Sequence, residues 1–211
     1  MRVRLTLVLA LVVALLLVPA CGGEGESPAR PVAAKSEAAC PAEWRAGWQE
    51  LADRIAAPVY CPGWIPQPLT GELDGQWNNI YSVDKSDRSY LMGFTWFEIG
   101  SGEVHVNLRG YPESTQIPTC RETTTSAGKT RRKDLPCFAD AQDPKRIAGF
   151  DVTVYTRNRG ADQWHVLYAW EEDGALYTIS QHVASPTPYS RVIGNLERML
   201  RNLVRVEPQT A

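Results

Sequence analysis

The stretch QWHVLYAWEEDGALYTISQHV, residues 163–183, decides the fold of this 211-residue chain. Two apolar runs, rich in aromatic and β-branched residues, flank Asp173-Gly174, a dipeptide typical of two-residue hairpin turns. If Glu172 pairs with Ala175, the register of the whole hairpin follows, because a shift by one residue would turn every side chain to the other face. The register predicts two pairs of large apolar residues across the strands: Trp170 with Tyr177 and Tyr168 with Ile179.

The same register places His165 directly opposite His182. The third histidine, His105, lies in EVHVNL, where alternate valine and leucine residues predict a strand that turns His105 to the opposite face. Two imidazoles on adjacent strands, with His105 as a third ligand, are one interpretation of this set. The residues favour another, a polar and half-exposed sheet face that also carries Thr178 and Ser180, with no metal or other cofactor. All three histidines are candidate binding residues, and protonated imidazoles side by side would repel at low pH.

Helical periodicity predicts a helix at each end of the folded region. Pro41 suits the first position of the N-terminal helix, and Pro58 ends it. Its inner face carries four apolar residues at helical spacing: Trp44, Trp48, Leu51 and Ile55. Thr187 and Pro188 predict the start of a C-terminal helix with an apolar stripe that reaches Leu203.

Strand patterns fill most of the chain between the two helices. Strands are predicted at three places: residues 88–99, 103–108 and 150–155. Residues 59–69 are expected to be extended, but their prolines exclude a central strand position. The polar residues 113–146 predict a long excursion. We therefore expect an α+β fold, a curved antiparallel sheet with an N-terminal and a C-terminal helix packed on it and two disulfides.

The first twenty residues have the organisation of a secretory signal peptide. Arg2 and Arg4 precede the almost wholly apolar run 5–18, which is short for a helix that spans a bilayer. Val18-Pro19-Ala20 before Cys21 resembles the lipobox of bacterial lipoproteins. In that family the cysteine sulfur receives a diacylglyceryl group and becomes the first residue of the mature protein. The resemblance implies that a lipid on Cys21 anchors the protein to the extracytoplasmic face of the cell membrane; an ordinary secreted protein is the alternative.

The remaining chain divides into a linker and one domain. Residues 22–39 contain no aromatic residue and a single β-branched one, so they predict a flexible linker. A single extracytoplasmic domain is expected at residues 40–208. Without the signal peptide, residues 1–20, the chain has 20 basic and 24 acidic residues, a net charge of −4. This charge gives no electrostatic argument for nucleic acid as a partner.

Four cysteines remain beside Cys21, and an even number in an oxidising space indicates disulfides. Three pairings of the four are open. We favour local pairing because each pair closes a short loop, Cys40 with Cys61 and Cys120 with Cys137. Loop closure of this length stabilises by roughly 3 kcal/mol in the chain-entropy model. A zinc site in these cysteines is disfavoured because no CxxC pair is present.

Two landmarks resemble a domain of unknown function found in bacterial envelope proteins. One is the extended Pro62-Gly63-Trp64-Ile65-Pro66, and the other is YAWEEDGALYTIS followed by the helix NLERMLRNL. That domain is related in shape to lipoprotein carriers and to sensor proteins that regulate anti-sigma factors. The resemblance covers residues 58–204 and implies a half-barrel sheet around helices with an apolar surface for lipids or partner proteins.

KTRRK, residues 129–133, lies inside the loop that a Cys120–Cys137 disulfide would close. Its four cations are candidates to contact anionic lipid headgroups or cell-wall polymers: Lys129, Arg131, Arg132 and Lys133. A solvated loop without a partner is the simpler interpretation.

Catalytic motifs are few. The chain has no GxSxG, and its two SxxK motifs, Ser82–Lys85 and Ser126–Lys129, lie in turn-like polar stretches without companion motifs. We therefore expect a non-catalytic binding or sensory module whose partner is an apolar ligand or an envelope protein, or alternatively an envelope hydrolase with an unrecognised active site. A pocket with convergent polar groups would favour the enzyme. An apolar groove between sheet and C-terminal helix would favour ligand carriage, and a closed core would favour a contact role.

Overall fold

The hairpin of residues 163–183 lies at the centre of an eight-stranded sheet in the computed structural model of the chain. The structure describes residues 38–67, 69, 82–98, 102–185 and 187–209. The predicted signal peptide, Cys21 and the linker as far as residue 37 lie outside these ranges and stay predictions. Neither helix in the described part of the chain is long and apolar enough to cross a membrane.

The described part of the chain forms twelve strands, two α-helices and one 3₁₀ helix. In chain order they are α1 (Ala42–Ile55), β1 (Val59–Pro62), β2 (Ser82–Val83), β3 (Tyr90–Glu98), β4 (Gly102–Tyr111), β5 (Thr119–Ser126), β6 (Lys129–Pro136), β7 (Phe138–Ala141), β8 (Lys145–Ile147), β9 (Phe150–Asn158), a one-turn 3₁₀ helix (Gly160–Asp162), β10 (His165–Glu172), β11 (Ala175–His182), α2 (Tyr189–Leu200) and β12 (Leu203–Val206). The main sheet runs β2-β3-β4-β11-β10-β9-β7, with β8 also on β9, and all of its pairs are antiparallel.

The predicted hairpin register is confirmed. Glu172 pairs with Ala175, and the pairing continues to the last pair of the ladder, His165 with His182. Asp173 has φ 51° and Gly174 has φ 77°, both in the left-handed region. A type I′ turn needs this conformation at both central residues, and glycine adopts it without steric cost.

Both helices cover the same apolar face of the main sheet. Seven large side chains in this core are no more than 1 % exposed: Trp48, Leu51, Ile55, Tyr168, Ile179, Leu196 and Met199. Burying each such side chain contributes about 1.5–3 kcal/mol relative to leaving it in water. The α+β fold, with an antiparallel sheet and a helix from each end of the domain, is therefore confirmed.

The C-terminal helix differs from its prediction at both ends. Pro188 is the N-cap residue instead of the first helical residue, and Thr187 makes no side-chain cap. The helix ends at Leu200, so Leu203 lies in β12 instead of on the helical stripe. Strand β12 pairs with β1, which is formed by the first four residues of the stretch 59–69 predicted to be extended.

The polar excursion of residues 113–146 contains regular structure. Strands β5 and β6 form a separate two-stranded ribbon, here called the basic ribbon, that pairs with no other strand of the described part. Its turn is Ala127-Gly128, with φ 49° and 73°. A two-stranded ribbon is marginally stable alone, and the Cys120–Cys137 disulfide closes its base.

The two disulfides join Cys40 to Cys61 and Cys120 to Cys137. The favoured local pairing is thus confirmed. Cys40 and Cys61 connect the start of α1 to β1 and are buried in the main core. Cys120 and Cys137 are only partly buried.

Removal of the two disulfides is expected to cost unequal amounts of stability. Cys40→Ala with Cys61→Ala should lower the free energy of unfolding by about 3 kcal/mol through the lost loop constraint, and by more in total because it also leaves voids in the core. Cys120→Ala with Cys137→Ala should cost little beyond the loop contribution. Urea unfolding of both double variants beside the wild type measures the difference. A larger loss from the Cys120–Cys137 pair would contradict this expectation.

Candidate functional site

The three histidines of the chain lie in one row across three adjacent strands. His105 is on β4, His182 on β11 and His165 on β10, and these strands are neighbours in that order. His165 pairs with His182. The ladder between β4 and β11 ends with the pair Val106 and Gln181, and His105 and His182 are the next residues on the two strands beyond that pair. The ring of His182 has its centroid 5.1 Å from that of His105 and 5.3 Å from that of His165. The structure therefore brings all three candidate histidines together.

The two outer rings converge above the middle strand. Since neighbouring strands are 4.7–4.9 Å apart, the backbones of β4 and β10 are separated by roughly 9–10 Å. The ring centroids of His105 and His165 are nevertheless only 4.3 Å apart, and their Nε2 atoms are 2.6 Å apart. The three imidazoles thus form a cup instead of a flat row, here called the histidine cup.

A buried network of hydrogen bonds and one ion pair holds the His165 side of the cup in place. His165 Nδ1 lies 3.0 Å from Ser180 Oγ, and Ser180 Oγ donates a 2.6 Å hydrogen bond to Asp162 Oδ1. Asn107 donates to the same oxygen at 3.1 Å, and Arg109 forms a 2.8 Å ion pair with Asp162 Oδ2. The carboxylate is therefore paired with a cation and two hydrogen-bond donors, as a buried charge requires.

The prediction of a half-exposed polar face is wrong for most of these residues. His165 is 2 % exposed, and Thr178 and Ser180 are each 1 % exposed. Only His105 and His182 are partly open to solvent. The reason lies in the 3₁₀ helix at 160–162, which folds back over β11 and covers this end of the sheet.

Burial controls the charge of His165. Desolvation, with a smaller contribution from the nearby His105, lowers the pKa of His165 to about 3. The imidazole is therefore neutral near pH 7. Because the Ser180 hydroxyl donates its hydrogen bond to Asp162, its oxygen accepts one from His165. This assigns the imidazole proton to Nδ1 and leaves a lone pair on Nε2.

The serine, histidine and aspartate in this network do not form a catalytic triad. In a triad the histidine lies between the other two and removes the serine proton. Here Ser180 lies in the middle, and its hydroxyl donates to Asp162 while it accepts from His165. Ser180 is also 1 % exposed, so a substrate does not reach it. The two SxxK motifs lie on strands and turns instead of a helix.

As the side chains lie, the cup is not a closed metal-ligand shell. Within the described ranges, no group of three or more His, Cys, Asp or Glu side chains is placed so that it could hold a metal ion. Two ligand atoms of a single tetrahedral zinc ion are about 3.3 Å apart, given metal–nitrogen distances of 2.0–2.1 Å. The 2.6 Å between the Nε2 atoms of His105 and His165 is shorter.

The basic ribbon holds the other candidate residues. Lys129, Arg131, Arg132 and Lys133 are all exposed on β6. In the described part of the chain none of the four has an ion-pair partner, although Arg121 on β5 pairs with Asp134 at 2.8 Å. Lys133 lies opposite Glu122 on β5, whereas the cross-strand neighbours of the other three cations are serine or threonine residues. The ribbon therefore presents three cations that have no acidic cross-strand neighbour.

Four of the five tryptophans whose side chains the structure describes belong to the core or pack against it. Trp44, Trp48 and Trp170 are buried, and Trp64 packs under the guanidinium of Arg198 at 4.1 Å. Trp164, beside the histidine cup, is 73 % exposed. The side chain of Trp96 lies outside the described residues.

Sequence reasoning missed three members of the network: Asn107, Arg109 and Asp162. The first two stand at alternate positions of β4, on the face opposite Val106 and Leu108. Their polar character beside His105 was a signal of a polar row. No local pattern indicates that Asp162, in a short 3₁₀ turn, reaches that row.

We expect His165 to make the folded state acid-sensitive. Its pKa in the folded state, about 3, lies below the unfolded value of about 6.5, so the unfolded chain binds the extra proton. The stabilisation is complete above about pH 6.5 and is lost as the pH falls toward the folded pKa, by up to about 1.4 kcal/mol per pH unit. Urea unfolding of the wild type and His165→Gln from about pH 7.5 to 5.5 measures it, and the variant should show a weaker dependence.

An NMR titration of the His165 ring gives an independent readout. The ring signal should not titrate over that range. A midpoint close to 6.5 would contradict the burial of a neutral imidazole.

Comparisons with protein-family models, with curated proteins and with solved structures find no match for this chain. The resemblances of Cys21 to a lipobox cysteine and of residues 58–204 to an envelope domain therefore stay predictions.

Proposed function

We propose that this protein is a lipid-anchored module on the extracytoplasmic face of the cell membrane that acts without catalysis, by contact with the anionic membrane surface. The anchor is the diacylglyceryl-modified Cys21 that the lipobox resemblance implies. Two acyl chains are enough for stable anchoring, whereas a single chain is marginal. The flexible linker predicted for residues 22–39 lets the domain reach the bilayer to which it is tethered.

The filled core argues for contact instead of ligand carriage. A carrier of apolar molecules needs space between the sheet and the helix that covers it. Leu196 and Met199 of α2 are 0 % exposed against Tyr168 and Ile179 of the sheet. The core between these elements is closed, which favours a role for the outer surface.

The exposed cations of the basic ribbon carry the proposal. Between residues 119 and 136 there are five basic and two acidic residues, while the mature chain as a whole is acidic. Lys129, Arg131 and Lys133 share one face of the ribbon by strand alternation, and Arg132 lies on the other. Each Lys or Arg near an anionic bilayer contributes about 1 kcal/mol.

The ribbon is built to present these charges. It pairs with no other described strand, so both of its faces are open to solvent. The Cys120–Cys137 disulfide holds its base against the strand that begins at Phe138, a buried residue of a second apolar cluster. The cations are thus held at a fixed place on the domain without being buried.

The histidine cup does not support the alternative of a hydrolase. Its serine hydroxyl is sealed from solvent, and its histidine donates to that hydroxyl instead of accepting from it. An envelope protein that binds the ribbon remains an outcome of the experiment below.

We expect Lys129→Gln with Arg131→Gln, which removes two cations from one face of the ribbon, to weaken binding to anionic vesicles at least tenfold, since two cations contribute about 2 kcal/mol at such a surface. The protein is residues 21–211 with Cys21→Ser, so that no lipid contributes. Co-sedimentation with phosphatidylglycerol–phosphatidylcholine vesicles measures the effect, and added salt should reduce it.

The matched control is Lys85→Gln with Arg191→Gln, which removes two exposed cations elsewhere on the domain. The control should bind like the wild type. Equal losses in both pairs would mean that only net charge matters, and unchanged binding of the ribbon variant would reject the membrane contact. Ribbon-dependent recovery of a single envelope protein without vesicle binding would reassign the ribbon to that protein.

The anchor has its own test. Labelled palmitate should enter the wild-type protein in cells and should be absent from Cys21→Ser, because the acylated sulfur is then missing. The variant should also leave the membrane fraction. Equal labelling of both proteins would reject Cys21 as the lipidated residue and, with it, the proposed location.

A further inference from the structure

A pocket of about 740 Å³ lies at the base of the basic ribbon, between β5, the end of β9 and the 3₁₀ helix. Three arginines line it: Arg121 on β5, Arg157 on β9 and Arg159 just after that strand. None of the described residues in its wall has an aromatic or branched aliphatic side chain. The volume is within the range of small-molecule sites, and the wall suits a polar, anionic occupant.

We propose that this pocket binds a phosphorylated polyol, a small molecule that carries a phosphate group next to hydroxyl groups. A guanidinium group matches two phosphate oxygens with two parallel hydrogen bonds, so three arginines around one cavity favour this anion. The four β6 cations assigned to the membrane contact are not among the residues that line the pocket. The two proposals therefore rest on different residues and can fail separately.

Hydrogen bonds to the base of the ribbon hold Arg159 in position. Its Nη1 atom donates a 2.8 Å hydrogen bond to the carbonyl of Pro136, the last residue of β6. Its backbone N–H donates to the carbonyl of Cys137, also at 2.8 Å. A guanidinium group has five N–H donors, so most of those on Arg159 remain available to a phosphate group.

The other two arginines are held by exposed ion pairs that an anionic ligand can replace. Arg121 pairs with Asp134 at 2.8 Å, and Arg157 pairs with Asp140 at 3.3 Å. The side chains of both pairs are at least 50 % exposed, and exposed ion pairs contribute little stability. A phosphate monoester carries nearly two negative charges near pH 7, so it competes well with a single carboxylate.

Glu122 and Gln163 are the reason to infer a polyol instead of inorganic phosphate. Both side chains are exposed and line the pocket, and Lys133 is the cross-strand neighbour of Glu122. A carboxylate only accepts hydrogen bonds, whereas an amide both donates and accepts them. The carboxylate repels a bare phosphate, but hydroxyl groups beside the phosphate can donate to it. The wall therefore favours an anion with hydroxyl neighbours.

The pocket offers binding groups without an activated nucleophile. Its cysteine, Cys120, is joined to Cys137 in a disulfide. None of the described residues in its wall is a serine, a threonine or a histidine, the residue types that form most nucleophile and base pairs. The convergence of polar groups here therefore supports binding of a ligand and not its hydrolysis.

The test is a titration of the full chain, purified from membranes in an uncharged detergent, with glycerol 3-phosphate by isothermal calorimetry. We expect one molecule per chain and weaker binding of inorganic phosphate. Arg159→Gln should weaken binding by roughly tenfold or more, because it removes charged hydrogen-bond donors. Arg121→Gln, which keeps the contact between Arg159 and Pro136, should also weaken it. Glu122→Ala should reduce the preference for glycerol phosphate over inorganic phosphate.

Arg191→Gln is the matched control, because it removes one exposed arginine on α2, outside the pocket, and should leave the affinity unchanged. Circular dichroism establishes that each variant is folded. Absence of binding to the folded wild type would overturn the proposal, and so would equal losses in Arg159→Gln and Arg191→Gln. Equal affinity for glycerol phosphate and inorganic phosphate would overturn the assignment of a polyol.

The vesicle experiment distinguishes two sources of the same chemistry, the headgroup of phosphatidylglycerol and soluble glycerol phosphate. If the headgroup is the ligand, glycerol 3-phosphate should compete with vesicles, and Arg159→Gln should bind them more weakly than Arg191→Gln does. If the ligand is soluble, both arginine variants should bind vesicles equally while only Arg159→Gln loses the calorimetric signal. Either result supports the pocket as the binding site and identifies where its ligand comes from.

Discussion

The pairing of Glu172 with Ala175 across the Asp173-Gly174 turn is the constraint on which the rest of the structure depends. A shift of this register by one residue would turn every side chain of β10 and β11 to the opposite face of the sheet. Tyr168 and Ile179 would then leave the core, and the histidines would enter it. The left-handed turn residues stabilise the register locally, and burial of the aromatic pairs stabilises it globally.

The central hairpin therefore divides the domain into two environments. On one face, α1 and α2 seal an apolar core around Tyr168 and Ile179. On the other, the end of the sheet that holds His165 carries a buried polar network in which Asp162 is neutralised by Arg109. Such networks stabilise only when every member is satisfied, and a partial loss is costly because the local dielectric is low. The two faces are thus unequal in chemistry although the same two strands form both.

The basic ribbon, in contrast to the rest of the domain, is not stabilised by a buried core. Its residues bury little, so its conformation depends on backbone pairing, a left-handed turn at Ala127-Gly128 and one disulfide at its base. Its cations stay in water, which suits weak, long-range attraction to an anionic surface more than a fixed contact. The domain separates a rigid, closed interior from an exposed element that carries charge.

Local rules determined much of this protein from its sequence. The turn dipeptide and strand alternation predicted the hairpin, its register and the facing pair His165 and His182, because neighbouring positions of one hairpin are set within a few residues. Only the tertiary structure decided that β4 lies beside β11, which brings His105 to the pair, and that Asp162 closes over them from a 3₁₀ turn. It also paired β12 with β1. Strand order between distant segments depends on which apolar faces pack together, and no local periodicity records that choice.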